Sequence, residues 1–295
     1  MELKGKEEGP HVLIIAGVHG DEYEPMITIM ELHKRLVNAL KKGRVTLICC
    51  ANETAYLAGQ RMGADGLDLA RICPGTPAGT VSQQAAFGLS EQIRNCDYLV
   101  DLHTGGALFD LFPLSGYMLH ADPKVLQVQR QMAAAFNLPL VWGTDAAPDG
   151  RTLSVARDAA IPAIYVEYGG GNVVQEPVIE AYTEGCLGVL DHLNMLREEA
   201  REERASKVVY TVEDATPDGG FLQGKMLSRF DGVFLPKVQP GSMIKKGDIW
   251  GVIYDPLFRR QWTVEADCAG LVLFVRRHPR VYPGDSLGGI LLLDK

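Results

Sequence analysis

The chain has 295 residues, enough for one large α/β domain with room left over or for two separate cores. Its 46% hydrophobic and 22% charged content is that of a folding globular protein, neither disordered nor fibrous. A formal net charge of -8 without a basic cluster excludes a partner held through nucleic-acid phosphates, no apolar run approaches the roughly 18 residues of a membrane span, and the charged stretch Met1–Pro10 lacks the apolar core of a signal peptide, so a cytoplasmic location is expected.

Over the first two thirds, strand-like and helix-like segments alternate. His11–Val18 is a run of branched apolar residues suited to a strand buried on both faces, and a helical pattern follows over Glu24–Leu40. Arg44–Cys50 is the next strand, Gln83–Asn95 the next helix, and Tyr98–His103 a third strand. Helical patterns over Pro123–Phe136 and Thr152–Ala159 precede a fourth strand, Ala163–Tyr168. That alternation predicts a central mixed, largely parallel sheet covered by helices. A helix from about Glu176 is expected to run on into the charged stretch Arg197–Lys207 as a solvated end at a domain boundary. From Val208 the segments are short, apolar and punctuated by glycine and proline, as in a small all-β module. The expected division is an α/β domain over 1–206 and a β module over 207–295. Six cysteines lie scattered without CxxC spacing and are read as reduced thiols.

Ligands of a parallel sheet gather at the carboxyl ends of its strands, and "GVHGDEYEP" stands just beyond the first one. His19 and Glu22 lie three residues apart in a turn that Gly17 and Gly20 allow to bend, so an imidazole and a carboxylate can converge on one cation. "YLVDLHTGG" repeats the design and offers His103 as a third ligand. Two histidines and a glutamate form a catalytic zinc set with a position left for water, one Zn2+ per chain. "AIYVEYGGG" brings Glu167 to the same edge as a base. Asp101, two residues before His103 and on the same strand face, is a candidate to orient a ligand, or else an ordinary buried aspartate. His33 falls on an apolar helical pattern, and His11, His120, His192 and His278 lack a glycine-framed strand end, so none enters the site. Gly143–Ser154 is rich enough in glycine and proline for a mobile loop near the site, with Arg151 a further candidate for substrate contact.

In this order, "GVHGDEYEP", "DLARICPG", "DLHTGG" and "VEYGGG" resemble the succinylglutamate desuccinylase/aspartoacylase family, relatives of the zinc carboxypeptidases. The resemblance implies a carboxypeptidase-like α/β domain with His19, Glu22 and His103 as zinc ligands and Glu167 as the catalytic glutamate. It further implies that Arg61 polarises the scissile carbonyl and that Arg71 grips the substrate carboxylate. The chain departs from the family pattern at Ala70, where relatives carry asparagine, and at Cys73, where they carry an aromatic residue. A substrate with one anchoring carboxylate or a different polar group, and a less polar part over Ala70 and Cys73, is therefore expected.

The C-terminal third resembles the two halves of a biotinyl/lipoyl-type barrel-sandwich. Its expected hairpin, Glu265–Gly270, has no lysine to carry a cofactor, so a non-carrier module is expected, narrowing the cleft or making homo-oligomer contacts. The function expected is deacylation of a small-molecule N-acyl amino acid or similar amide by a zinc hydrolase. The alternatives are a metallocarboxypeptidase acting on short peptides and a non-catalytic binding protein.

Overall fold

The computed structural model describes residues 1–201, 204–217, 219–220 and 225–293. In chain order the elements are β1 (Glu2–Lys4), β2 (Glu7–Ile15), α1 (Tyr23–Ala39), β3 (Lys42–Ile48), α2 (Glu53–Ala58), α3 (Val81–Arg94), β4 (Tyr98–His103), β5 (Phe109–Met118), α4 (Pro123–Phe136), β6 (Leu140–Thr144), α5 (Thr152–Asp158), β7 (Ala163–Gly170) and α6 (Glu176–His192). The remaining strands are β8 (Tyr210–Asp214), β9 (Gly232–Pro236), β10 (Met243–Ile244), β11 (Ile249–Asp255), β12 (Arg260–Glu265), β13 (Gly270–Arg276), β14 (Arg280–Val281) and β15 (Gly288–Leu291).

The fold is mixed α/β, with a central mixed sheet and a second, antiparallel one. The central sheet runs β1-β3-β2-β4-β7-β5-β13-β10, and β12-β11-β9-β14 make the second. Strands β3, β2, β4 and β7 are mutually parallel, as their apolar runs predict, and β5 lies antiparallel against β7. Alternation along each strand sorts the side chains. Val12, Ile14, Val100, Leu102, Ile164 and Val166 face α1, α4 and α6, whereas Leu13, Ile15, Leu99 and Ala163 face α3 and α5. Helix α1 commits one stripe, Met26, Ile29, Leu32 and Leu36, to the first of these cores. Fully burying an aliphatic side chain of this kind contributes about 1.5–3 kcal/mol.

Two expectations change. Helix α6 stops at His192, because Asn194 takes a left-handed φ of 55° and the chain turns Met195 and Leu196 into the core, where Leu196 bridges to Leu40. Of the charged stretch expected to continue the helix, the described part holds only the short 3-10 turn Glu198–Ala200, and Glu202 and Glu203 lie outside the described residues. The stretch Glu265–Gly270 is no hairpin: it carries the chain from β12 in the second sheet to β13 in the first, and Ala266 is buried in the passage. The hydrogen-bonded ladder also crosses residue 206, since β8 pairs with β6 and β13 pairs with the Phe109 end of β5. All six cysteines are free thiols, and no described helix is long and apolar enough to cross a membrane.

Candidate active site

His103 closes β4 and Glu167 stands directly beside it in register on β7. Both occupy odd positions of their strands, together with Asp101 and Tyr165, and so share the sheet face covered by α3 and α5. His19 lies in the turn after β2 and Glu22 is the N-cap residue of α1. Gly17 turns the chain out of the strand with a φ of 67°, and a Cβ on Gly20 would sit 2.0 Å from the Ala55 backbone. The expected bend therefore also needs room.

The result is a buried trio. Glu22 accepts at one oxygen from His19 Nδ1 (2.7 Å) and at the other from His103 Nδ1 (2.9 Å). The ligand-competent atoms of His19, Glu22 and His103 lie within 4.8 Å of one another. Burial alone would raise the Glu22 carboxyl, but the two imidazoles hold it below the ordinary carboxylate range. Burial alone would lower His103, yet Asp101 and Glu22 raise it well above the usual imidazole value. Two neutral-capable imidazoles gripping one carboxylate form a donor set that fits a divalent cation of borderline softness. Each ring is also held from behind: His103 Nε2 lies 3.1 Å from Asp101 Oδ1, and His19 Nε2 lies 3.2 Å from Asp68 Oδ1. Carboxylates placed this way fix the tautomer and orientation of metal-binding histidines.

Asp68 does more than back His19. Its Oδ2 accepts from Arg61 Nε at 3.0 Å, and its Oδ1 accepts from the Ala70 backbone N–H at 2.9 Å. Burial opposes the ionised form of Asp68, but His19 and the Arg61 charge hold its pKa below the usual range. Asp101 is likewise braced, its Oδ2 accepting a hydrogen bond from the Thr152 hydroxyl. Neither Asp68 nor Thr152 was among the site residues expected from the sequence. Asp68 opens a motif already singled out, and Thr152 lies in the Gly143–Ser154 stretch beside Arg151, where no motif of its own marks it.

Glu167 brings an unpartnered carboxyl oxygen to the site. Its Oε2 is buried without a hydrogen-bond partner, and burial pushes its pKa up to about 8 against the pull of the His103 charge. A single pocket brings His19, His103 and Glu167 together with Arg61, Arg71 and Arg151. Ala70 also lines it, but Cys73 does not. The Cys73 thiol points to the Leu69 carbonyl within the core beneath α3, so of the two departures from the family pattern only Ala70 meets the pocket. His11, left outside the site, is tied to the Asn95 carbonyl and to Thr46.

Fold and site together define an α/β protein with a buried, cation-competent His-Glu-His trio at the carboxyl ends of parallel strands. Residues 8–193 match the model of the succinylglutamate desuccinylase/aspartoacylase catalytic domain, and the chain belongs to that family. The N-alpha-acetyl-L-2,4-diaminobutyric acid deacetylase of Halomonas elongata is 28% identical over 291 residues, covering 96% of this chain and 82% of the relative. The crystal structure of a succinylglutamate desuccinylase/aspartoacylase from Rhodobacter sphaeroides superimposes with a TM-score of 0.85 at 27% identity, covering 98% of this chain and 87% of that one. A product-bound ectoine utilization protein from Ruegeria pomeroyi shares the fold, with a TM-score of 0.85 at 24% identity over 98% of this chain and 87% of its own.

Proposed function

We propose that the protein is a zinc-dependent amidohydrolase that removes the acyl group from an N-acyl amino acid or similar small amide, with one Zn2+ per chain held by His19, Glu22 and His103. The observation that carries this reading is that the buried trio turns His19 and His103 to a pocket also lined by Glu167, whose Oε2 has no hydrogen-bond partner, and by three arginines. Zinc bound there supplies a Lewis acid and an acidified water.

The chain's own groups account for the remaining chemistry. Arg71 and Arg151 offer the charge that anchors a substrate carboxylate. Arg61, held by Asp68, donates to the carbonyl oxygen as negative charge develops on it. Glu167 takes the proton of the attacking water and passes it to the leaving nitrogen, and a pKa raised by burial suits a group that must both accept and release a proton near neutrality. One water is consumed: a C–O bond forms, the C–N bond breaks, and a carboxylate and an amine depart.

Between a deacylase and a metallocarboxypeptidase, the Halomonas relative, named as a deacetylase of N-alpha-acetyl-L-2,4-diaminobutyric acid, favours the deacylase. We infer further a zinc-carboxypeptidase-like core over 1–206, a non-carrier barrel-sandwich over 207–295, a cytoplasmic location and self-association.

The test combines metal analysis with a screen of N-acyl amino acids and dipeptides. Wild type should carry about one zinc per chain and turn over N-acyl amino acids, and His103→Ala should lose most of both metal and activity. Stoichiometric zinc in that variant would refute the ligand set, and turnover of dipeptides alone would move the reading to a peptidase.

A further inference from the structure

The three strand ends that supply the site are tied to one another by contacts that lie outside it. The first end carries His19 and Glu22, with Asp21 between them. Asp21 Oδ2 accepts from the Ala107 N–H at 2.9 Å, and so reaches across 86 positions to the turn that follows His103. That turn is anchored in its own right to the end that carries Glu167. The Gly106 carbonyl accepts from the N–H groups of Gly171 (2.7 Å) and Asn172 (3.1 Å), and the Gly105 N–H donates to the Gly169 carbonyl at 3.1 Å. Glycine is needed where the carboxylate crosses: Gly106 has a φ of 54°, and a Cβ there would sit 2.6 Å from Asp21 Oδ2. The other oxygen of the same carboxylate, Asp21 Oδ1, is buried and has no hydrogen-bond partner among the described residues. A buried oxygen without a donor opposes folding, so stability alone does not account for a carboxylate at this point.

We propose that Asp21 is a positioning residue of the metal centre: by clasping the Gly105–Ala107 turn it fixes His19 and Glu22, on one segment, against His103 on another. The inference rests on the metal-hydrolase reading and adds to it a residue that belongs neither to the ligand trio nor to the pocket wall. Asp21 shares one tight turn with both of the ligands it stands between, so a shift of its backbone moves the two together. His103 closes β4 and does not follow that shift. A cation with short, fixed bond lengths tolerates little drift between the two segments, and the clasp is the side-chain link between their turns that removes it.

Asp21→Ala removes the clasp, whereas Asp21→Asn keeps an acceptor oxygen for the Ala107 N–H. The probes are zinc and cobalt(II) ions. In competition with a chromophoric chelator, the alanine variant should bind zinc about 10–100-fold more weakly than wild type, the loss found when a group that orients metal ligands is removed. Its cobalt(II) form should show a visible spectrum different from that of wild type, because the ligand geometry has changed. The asparagine variant should recover zinc affinity to within about threefold of wild type, together with the wild-type spectrum. A merely structural role predicts something else: a metal-free alanine variant of lower thermal stability with unchanged zinc affinity and an unchanged cobalt spectrum, which would overturn the proposal. An asparagine variant as impaired as the alanine one would overturn it too, since the acceptor would then not be what matters. Should Asp21→Ala not fold, hydrogen exchange in wild type decides. Zinc should slow exchange of the Ala107 and Gly171 amides by at least about tenfold, because a clasp that favours metal binding must be favoured by it in return. Exchange at those amides unchanged by bound zinc would end the role. Wild type that binds neither zinc nor cobalt would refute the metal-hydrolase reading and this proposal with it, whereas a variant that binds zinc as tightly as a zinc-binding wild type refutes the proposal alone.

Discussion

Asp68→Asn separates the two tasks that one carboxylate performs. In the wild-type chain Oδ1 faces His19 Nε2 at 3.2 Å and the Ala70 N–H at 2.9 Å, while Oδ2 faces Arg61 Nε at 3.0 Å. All three neighbours are donors or donor-capable, and an asparagine has only one oxygen to give them. If that oxygen stays with Ala70, the new amide N–H₂ meets Arg61 donor to donor. If it turns to Arg61, the cap on the Leu69–Arg71 turn and the brace on His19 are lost. Loss of a carboxylate behind a metal-binding histidine weakens metal binding by about 10–100-fold. A charge-assisted hydrogen bond to Arg61 contributes about 1.5–3 kcal/mol, so kcat should fall by about tenfold or more even at saturating zinc. Competition with a chromophoric chelator reads the first effect, and steady-state kinetics at several zinc concentrations read the second. A variant with wild-type zinc affinity and full kcat would show that Asp68 is a bystander. Full kcat at saturating zinc with weakened affinity would confine its role to His19.

Glu167→Gln keeps the shape of the side chain and removes the base, so zinc content measured by elemental analysis should persist while turnover falls about 10²–10⁴-fold. The raised pKa of Glu167 sets the direction of the pH response: its carboxylate form is lost as pH falls through the raised value, and a bound cation, like the His103 charge, pulls that value back down. The acid limb of kcat/KM should therefore lie between the ordinary 4.5 and about 8, and a pH-rate profile with its limb at or below 4.5 would contradict this. Ala70→Asn restores a donor beside Arg71 in the pocket wall and should lower activity on the preferred substrate while improving N-acetylaspartate, which wild type should cleave poorly; efficient wild-type cleavage of N-acetylaspartate by direct assay would refute a tailored wall. Phe274→Ala removes a fully buried ring that meets Phe109 of the pocket edge to face, with ring centroids 5.1 Å apart, so unfolding in denaturant should show a loss of about 3–5 kcal/mol.

The parallel strands were legible because a strand buried on both faces must be almost continuously apolar, and runs of that kind at β2, β4 and β7 end in glycine-rich turns, while β3 shows through its alternation of buried Val45 and Leu47 with half-buried neighbours. Strand β5 was not, because "FDLFPLSGYM" neither alternates nor runs apolar and holds Pro113 at its centre. Its placement explains the pattern. The register slips between Leu111 and Leu114, where a residue without an N–H can sit, and the two ends of the strand pair with different partners, β13 at one and β6 at the other. Strand β6 was not legible either: Leu140–Trp142 is too short an apolar run to stand out, and Gly143 and Thr144 fall inside a segment whose glycine, proline and aspartate content marks a loop. The end of α6 was misjudged for a different reason. Charge and helix propensity favour continuing beyond His192, but burying Met195 and Leu196 outweighs propensities worth only tenths of a kcal/mol per residue.

The site divides along the same line between local and tertiary information. His19, Glu22, His103 and Glu167 each announce themselves locally, since a polar residue at the mouth of an apolar strand has no reason to be there unless something at the sheet edge receives it. What supports them is carried by pairings the sequence does not display. Asp68 reaches His19 across 49 positions and Thr152 reaches Asp101 across 51, and neither distance is encoded in any spacing. The same holds for Tyr165, Gly116 and Trp142, which come from three strands and become one row only after β5 has inserted antiparallel between β7 and β6. The residues proposed to carry the chemistry thus stand at or just beyond the ends of strands, while the pairings that brace them span the fold. Substitutions at the strand ends should act on kcat through the reacting groups.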